Sequence, residues 1–292
     1  MPARELRLWP QILRPIAQWF LPSCRRLRYL ASRTRSLIEP VIAARQKEKA
    51  RCASHGREPP VYDDAIEWTE RAAKGRSYDA AMSPLLFSIN ALHTTTDLLT
   101  QVILDLSTQP DLIAALRQEI ISVRPQQNGW KNASLNQLLL MDSAIKESQR
   151  LKPTESILMR RYAMDDLTLA DGTQIPKGTV LGIQSSIYVD PDTYDGYRFQ
   201  KMRDQPGFES KCQLVSTSPW HLGFGHGIHA CPGRFLAAVQ VKIILYHIVA
   251  KYDFKLAGGA HPKVQSVGIE LISDSEAKLA VRRRQDMAIG LE

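Results

Sequence analysis

The stretch "GFGHGIHACPGRF" (223–235) sets a single cysteine, Cys231, between a glycine-rich turn and the start of an apolar helical run. A thiolate that ligates a metal needs surroundings that temper its charge. Glycines at 225, 227 and 233 let the backbone curve around the sulfur so that N–H groups can reach it. The N-terminus of the helix that follows adds the positive end of its dipole. Phe224 stands where an aromatic ring would shield the sulfur from water and so shift a redox potential. The same residues also suit an inert cysteine in a glycine-rich turn, the commoner case for any one cysteine. Zinc is a third reading, because His221, His226, His229 and Cys231 cluster in sequence. Their spacing lacks the second, distant ligand pair of a structural zinc site.

Two other runs carry chemistry. In "KESQRLKP" (146–153), Glu147 and Arg150 are one helical turn apart and can pair. On an exposed helix such a pair contributes only about 0.3–0.5 kcal/mol. In "NALHTTTD" (90–97), Thr94, Thr95 and Thr96 interrupt an otherwise apolar helical pattern. Threonines are weak helix formers, and their hydroxyls bond back to the preceding turn and bend it. Local helix distortion often marks a functional site. Polar residues satisfied within a core helix are an equal alternative.

These residues sit in a chain of 292 amino acids with ordinary globular composition and a net charge of +8. The basic residues are spread out, with no polybasic tail and no aromatic-interleaved basic stretch, so nucleic acid is the weaker partner class. An acidic protein partner or a membrane surface fits better. The four cysteines, Cys24, Cys52, Cys212 and Cys231, form no C-x-x-C pair, which points to a reducing compartment. No apolar run approaches the roughly 20 residues of a membrane span. The N-terminus lacks a signal peptide's apolar core.

The elements that must position the chemistry read as mainly α with a minor β part. Residues 23–54 form a basic helix interrupted at Pro40, and 55–64 a polar loop ended by Pro59 and Pro60. A short helix covers 65–73. A long one runs from about Ser77 to Leu106, apolar all round and therefore central. The next starts at Ser107 or Thr108 as N-cap, and another spans 134–151. Residues 167–189 alternate around Asp-Gly and Pro-Lys-Gly turns, a small β-hairpin region. The stretch 190–220 is irregular, 234–254 is a strong helix, and 277–284 is a final strand. Near the front, Trp9, Ile12, Leu13, Ile16, Trp19 and Phe20 fall at helical spacing, cut into short pieces by Pro10, Pro15 and Pro22. A presequence, an interfacial helix and a stripe packed on the rest of the domain are all open; the packed stripe is the expectation.

Taken together, "HLGFGHGIHACPGRF" (221–235) resembles the haem-binding loop of the cytochrome P450 family of haem-thiolate monooxygenases. The other motifs follow in the family's order along essentially the whole chain. The resemblance implies a haem (heme b) cofactor with Cys231 as the axial thiolate to iron and Phe224 and Gly227 in its loop. It implies that His229 meets a haem propionate, with Arg160 or Arg161 as another such contact. It makes Glu147-x-x-Arg150 the helix whose pair locks onto Arg198, a buried three-member network that holds the cysteine loop without touching the chemistry. His93 takes the place of the family's acid and Thr94 that of its proton-delivering threonine, with Thr95 a weaker candidate. His93 and Ile228 depart from the commonest pattern, His93 in a way that resembles many fungal members. A single domain, 1–292, follows, with 1–76 as lid helices at the substrate entrance and 77–292 from the central helix to the last strand.

The family's membrane anchor, early helices and much of its substrate pocket are expected to be absent, so the chain reads as N-terminally truncated. The implied activity is insertion of one oxygen atom of dioxygen into an apolar substrate, with a terpenoid-like scaffold of fungal secondary metabolism suggested by "LHTTTD" and "HGIHACPGRF". Electrons would come from an NADPH-cytochrome reductase docking on a basic face. Residues 1–30 would touch a membrane surface; relatives of this type sit on the endoplasmic reticulum. A shortened homologue that at most binds haem or a partner protein is the alternative.

Overall fold

Three prolines set the pattern of the first 54 residues. A proline is tolerated in the first turn of a helix, where its missing N–H would be unpaired anyway, and disfavoured further in. In the computed structural model, which describes residues 2–123, 132–184, 192–259 and 261–285, α1 (Pro2–Arg7) stops short of Pro10. A single 3-10 turn, Gln11–Leu13, follows Pro10. Helix α2 (Arg14–Phe20) carries Pro15 in its first turn, and α3 (Pro22–Ser54) opens on Pro22. Pro40 does not interrupt α3, contrary to expectation. The helix is held on both sides of it, by the Arg35–Asp79 ion pair and by the two-pronged Arg45–Asp64 pair at 2.9 and 2.6 Å. The apolar stripe is not packed either: Ile12, Ile16, Trp19 and Phe20 are exposed, and among the described side chains of residues 5–54 only Ala17 and Cys24 are buried.

Helix α4 (Ala65–Ala73) has the expected bounds, and Asp64 caps it by accepting from the N–H groups of Ile66 and Glu67. The Arg45 guanidinium on that same carboxylate holds its pKa down to about 2. Lys49 pairs with Glu67 and Glu70 at 2.7 Å, so the polar face of α3 docks on α4 through charge. Helix α5 (Met82–Leu106) starts five residues later than predicted and is not central throughout. Leu86, Phe87, Ile89 and Leu92 are exposed, and burial begins at Thr95. An apolar composition does not by itself supply a covering element. The chain divides into two compact units, Met1–Leu92 and His93–Glu292.

In the second unit, α6 (Pro110–Val123) begins at a proline, two residues beyond the expected cap. The single helix expected over 134–151 is two: α7 (Asn132–Leu135) and α8 (Leu139–Leu151), separated by a turn in which Leu139 N–H bonds the carbonyl of Gln137. Glu119 of α6 then caps α8, accepting from the N–H groups of Leu140 and Met141 at 2.6 and 3.0 Å. Strands β1 (Ile157–Tyr162) and β4 (Val180–Gln184) pair antiparallel, enclosing the small hairpin of β2 (Leu167–Thr168) and β3 (Gln174–Ile175). The remaining residues of the predicted hairpin region, 185–189, lie outside the described residues. The irregular stretch contains one short helix, α9 (Arg198–Arg203). Helix α10 (Arg234–Lys251) runs into β5 (Tyr252–Leu256), which pairs with β8 (Leu279–Arg283), while β6 (Gln265–Val267) and β7 (Glu270–Ile272) turn at Gly268.

The core of this unit gathers the second half of α5, α6, α8 and α10 around Val102, Leu116, Met141, Ile145, Leu245 and Val249, all with 1% exposure or less. Among the described residues the architecture is thus helical with four two-stranded sheets.

Candidate active site

Helix α8 is buried along its whole length from Leu140 to Arg150, including five residues whose polarity would ordinarily place them at the surface: Asp142, Lys146, Glu147, Gln149 and Arg150. Buried polar groups must be paired; Glu147 and Arg150 pair with each other, and all five also find partners on later segments. The Glu147 carboxylate accepts from Arg150 Nε at 2.8 Å and Arg150 Nη2 at 2.9 Å, and from Arg198 Nε at 3.0 Å. The backbone N–H of Asp195 adds a further bond at 3.0 Å, and both arginines donate to the carbonyl of Thr193. Glu147, Arg150 and Arg198 are therefore brought together as a single buried cluster. Lys146 donates to the carbonyls of Lys211, Gln213 and Ser216, with its charge over the Phe199 ring. Burial pushes its pKa down to about 8.

Gln149 was not among the expected residues. Its Oε1 lies 3.0 Å from Nε2 of the buried His221, at the entry to the cysteine loop. Burial, reinforced by the Lys146 and Arg150 charges, pushes the His221 pKa well below its usual value, so the imidazole is neutral. Gly223 explains itself here: a Cβ would meet the Gln149 side chain at 2.4 Å. No local sequence signal marks this pair, because its members are 72 positions apart.

From this base the loop rises to Cys231. The Cys231 N–H donates to the Phe224 carbonyl at 2.7 Å, closing the loop on itself. Gly225 and Gly227 take φ values of +68° and +66°, conformations that favour glycine. At Gly225 a Cβ would also crowd the His229 carbonyl at 3.0 Å and Met159 sulfur at 3.7 Å. Met159 is the bulged residue of β1, at φ +52°. Cys231 itself is exposed, as are Gly227 and His229, and Phe224 is half-buried against the core. Arg160 pairs with Glu155 at 3.0 Å and Arg161 Nη1 bonds the Arg160 carbonyl, both at the exposed edge of the bulge.

Helix α5 runs unbroken through the three threonines, so no helix break marks that turn. Thr94 is exposed and Thr95 buried. His93 lines a cleft of about 400 Å³ with Thr96, Asp97, Thr100 and residues 272–275. Among the described residues no group of three or more His, Cys, Asp or Glu comes together to hold a metal ion, and His226 Nδ1 is spent on Thr217 Oγ1 at 3.1 Å.

A helical fold that presents an exposed thiol ahead of a long helix, on a loop whose first turn rests on the buried helix α8, fits a haem-thiolate protein. The chain belongs to the cytochrome P450 family, whose model matches residues 5–276. It is similar to "Cytochrome P450 monooxygenase easM" of Aspergillus fumigatus, 89% identical over 99% of this chain and 57% of that protein. It is also similar to "Cytochrome P450 monooxygenase olcG" of Penicillium canescens, 46% identical over 97% of this chain and 58% of that one. A retinoic acid-bound cyanobacterial CYP120A1 superposes with a TM-score of 0.68 at 21% identity, covering 89% of this chain and 57% of that chain, a likeness of fold. The chain thus spans a little over half the length of these relatives.

Haem is the family's cofactor, and the residues present fit it. A porphyrin supplies its own equatorial nitrogens and asks of the protein one axial donor, which a single exposed thiol provides. The thiol itself stands at the surface, where a flat ring can reach it. Phe235 and Leu236, just beyond it, expose apolar surface. No helix among the described residues is long and apolar enough to cross a membrane.

Proposed function

We propose that this chain carries the haem-binding and oxygen-activating part of a monooxygenase acting on an apolar small molecule. The observation that carries the reading is the exposed Cys231 thiol on a loop closed by its own N–H bond to Phe224. Cys231 would hold the iron as thiolate, and the half-buried ring of Phe224 would keep water from the sulfur. The left-handed turn at Gly227 would let the loop follow the ring. His229 and one of Arg160 and Arg161 would bind propionates; both arginines are exposed. When bound, thiolate-ligated haem supplies activation of dioxygen and cleavage of its O–O bond. The Thr94 hydroxyl would hold the proton that this requires, replenished from the His93 imidazole, which lines a cleft on the same helix. Glu147, Arg150 and Arg198 would support the loop by holding the segment 193–198 that precedes it.

The finer reading is a fungal secondary-metabolite oxygenase with a terpenoid-like substrate and electrons from an NADPH-cytochrome reductase. Residues 1–30 would rest on a membrane surface, as favoured by the exposed Ile12, Ile16, Trp19 and Phe20 among arginines. Residues 1–76 would serve as lid and 77–292 as the haem-binding part of one domain. The test is to express residues 1–292, supply haem, reduce it and record the carbon monoxide difference spectrum. A strongly red-shifted Soret band that Cys231→Ala abolishes is the expected result. Folded protein without that band would make the chain a non-catalytic homologue.

A further inference from the structure

The Glu147 cluster anchors the segment 193–198, which precedes the cysteine loop by some distance in sequence. The residues that do touch the loop's first turn are Gln149 and His221. Their bond is buried, at 3.0 Å between Gln149 Oε1 and His221 Nε2, and with the amide oxygen facing it Nε2 is the donor. His221 is fixed from two more directions. Its N–H bonds Ser218 Oγ at 3.1 Å, and its ring stands edge-on to Phe199 at 5.5 Å between centroids. Gly223 is packed onto the same Gln149 side chain, with no room for a methyl group. The Leu222 carbonyl, next to His221, accepts the Gly225 N–H at 2.8 Å, and the Phe224 carbonyl accepts the Cys231 N–H at 2.7 Å. The position of Cys231 is thus referred back to α8 through Gln149.

The pair is neutral where its surroundings are cationic. Lys146 and Arg150 lie on the same helix and both push the imidazole toward the uncharged form, while Glu147 faces away into its arginines. A hydrogen bond between neutral groups fixes a geometry without adding charge near the sulfur.

We infer that Gln149 and His221 are a positioning pair for the cysteine loop, acting on Cys231 from behind and separately from the Glu147 cluster. What Cys231 then does rests on the function proposed above; the positioning itself does not.

The test is made first on protein without haem. Amide hydrogen exchange, read by mass spectrometry, is compared between the parent chain and Gln149→Leu for the peptide spanning 222–233 and for that spanning 140–151. Loss of one net hydrogen bond predicts exchange in 222–233 faster by roughly fivefold or more, with 140–151 unchanged. Gln149→Glu, which keeps an acceptor oxygen of the same reach, restores the protection. After haem is supplied, Gln149→Leu lowers the fraction of the red-shifted carbon monoxide band. Equal exchange in the loop, or acceleration spread evenly over α8 and the loop, overturns the inference. If Gln149→Leu does not fold, His221→Phe removes the donor while keeping the ring against Phe199, and the same peptides decide. If the parent chain shows no red-shifted band, the proposed function fails while the exchange result still judges the pair.

Discussion

Glu147→Gln is the substitution whose effect the geometry specifies best. Glu147 is fully buried, and its carboxylate is the counter-charge for Arg150, whose side chain is 1% exposed, and Arg198, at 15%. Glutamine keeps the shape and one acceptor oxygen but removes the carboxylate charge that faces the two guanidinium groups. Breaking a buried pair by removing one partner costs about 3–5 kcal/mol, because the remaining charge stays desolvated. For a unit the size of His93–Glu292 each kcal/mol lowers Tm by about 2–4 °C, so a fall of about 6–20 °C is expected. Thermal unfolding followed by far-ultraviolet circular dichroism measures it. Glu155→Gln is the internal control: its partner Arg160 is half-exposed, and an exposed pair contributes at most about 1 kcal/mol. Should Glu147→Gln shift Tm by no more than Glu155→Gln does, the buried-cluster account is wrong and the pair behaves as an ordinary helical ion pair.

Three other perturbations have defined signs. Burial pushes the Asp105 carboxyl up to about 6, so between about pH 4 and 6 the folded state binds more proton than the unfolded chain. Its contribution is complete below about pH 4 and lost as pH rises through 6; Asp105→Asn should flatten that slope in urea titrations and stabilise the protein at pH 7 by about 1–3 kcal/mol. Gly223→Ala drives a methyl group into Gln149 and should destabilise by about 1–3 kcal/mol in the same titrations, with the loop exchange of Gln149→Leu. Lys146→Met strips three carbonyls of their donor and should cost about 3 kcal/mol, read as a fall in the urea midpoint.

What the sequence made legible was local. The cysteine loop, the Glu147–Arg150 spacing and the short helix α4 are each written within a dozen residues, and the physics that forms them acts over that range. Pro40 was misread because a proline's cost is fixed while the tertiary contacts on either side of it are not visible in the chain. The break at residues 136–138 was missed because Leu138 and Leu139 continue the apolar period across a turn. The exposed half of α5 was read as central because apolarity states a preference for burial without naming what buries it. Gln149 and His221 were invisible as a pair for the plainest reason: each is unremarkable alone, and only the folded backbone puts them 3.0 Å apart.

The burial of α8 also has a consequence in time. Its charges wait for partners made much later: Arg198 is 51 residues beyond Glu147, and the carbonyl of Ser216 is 70 beyond Lys146. Asp142 waits longer still, for Lys242, which stands on α10. At a synthesis rate of about 5–20 residues per second, α8 leaves the ribosome roughly 5–20 s before its last partner exists. Throughout that interval the helix has the earlier α6 to cap it and its own Glu147–Arg150 pair, while its other polar groups gain their partners one after another. The nascent chain must keep this stretch open or shielded, and its second unit should close only once α10 has emerged.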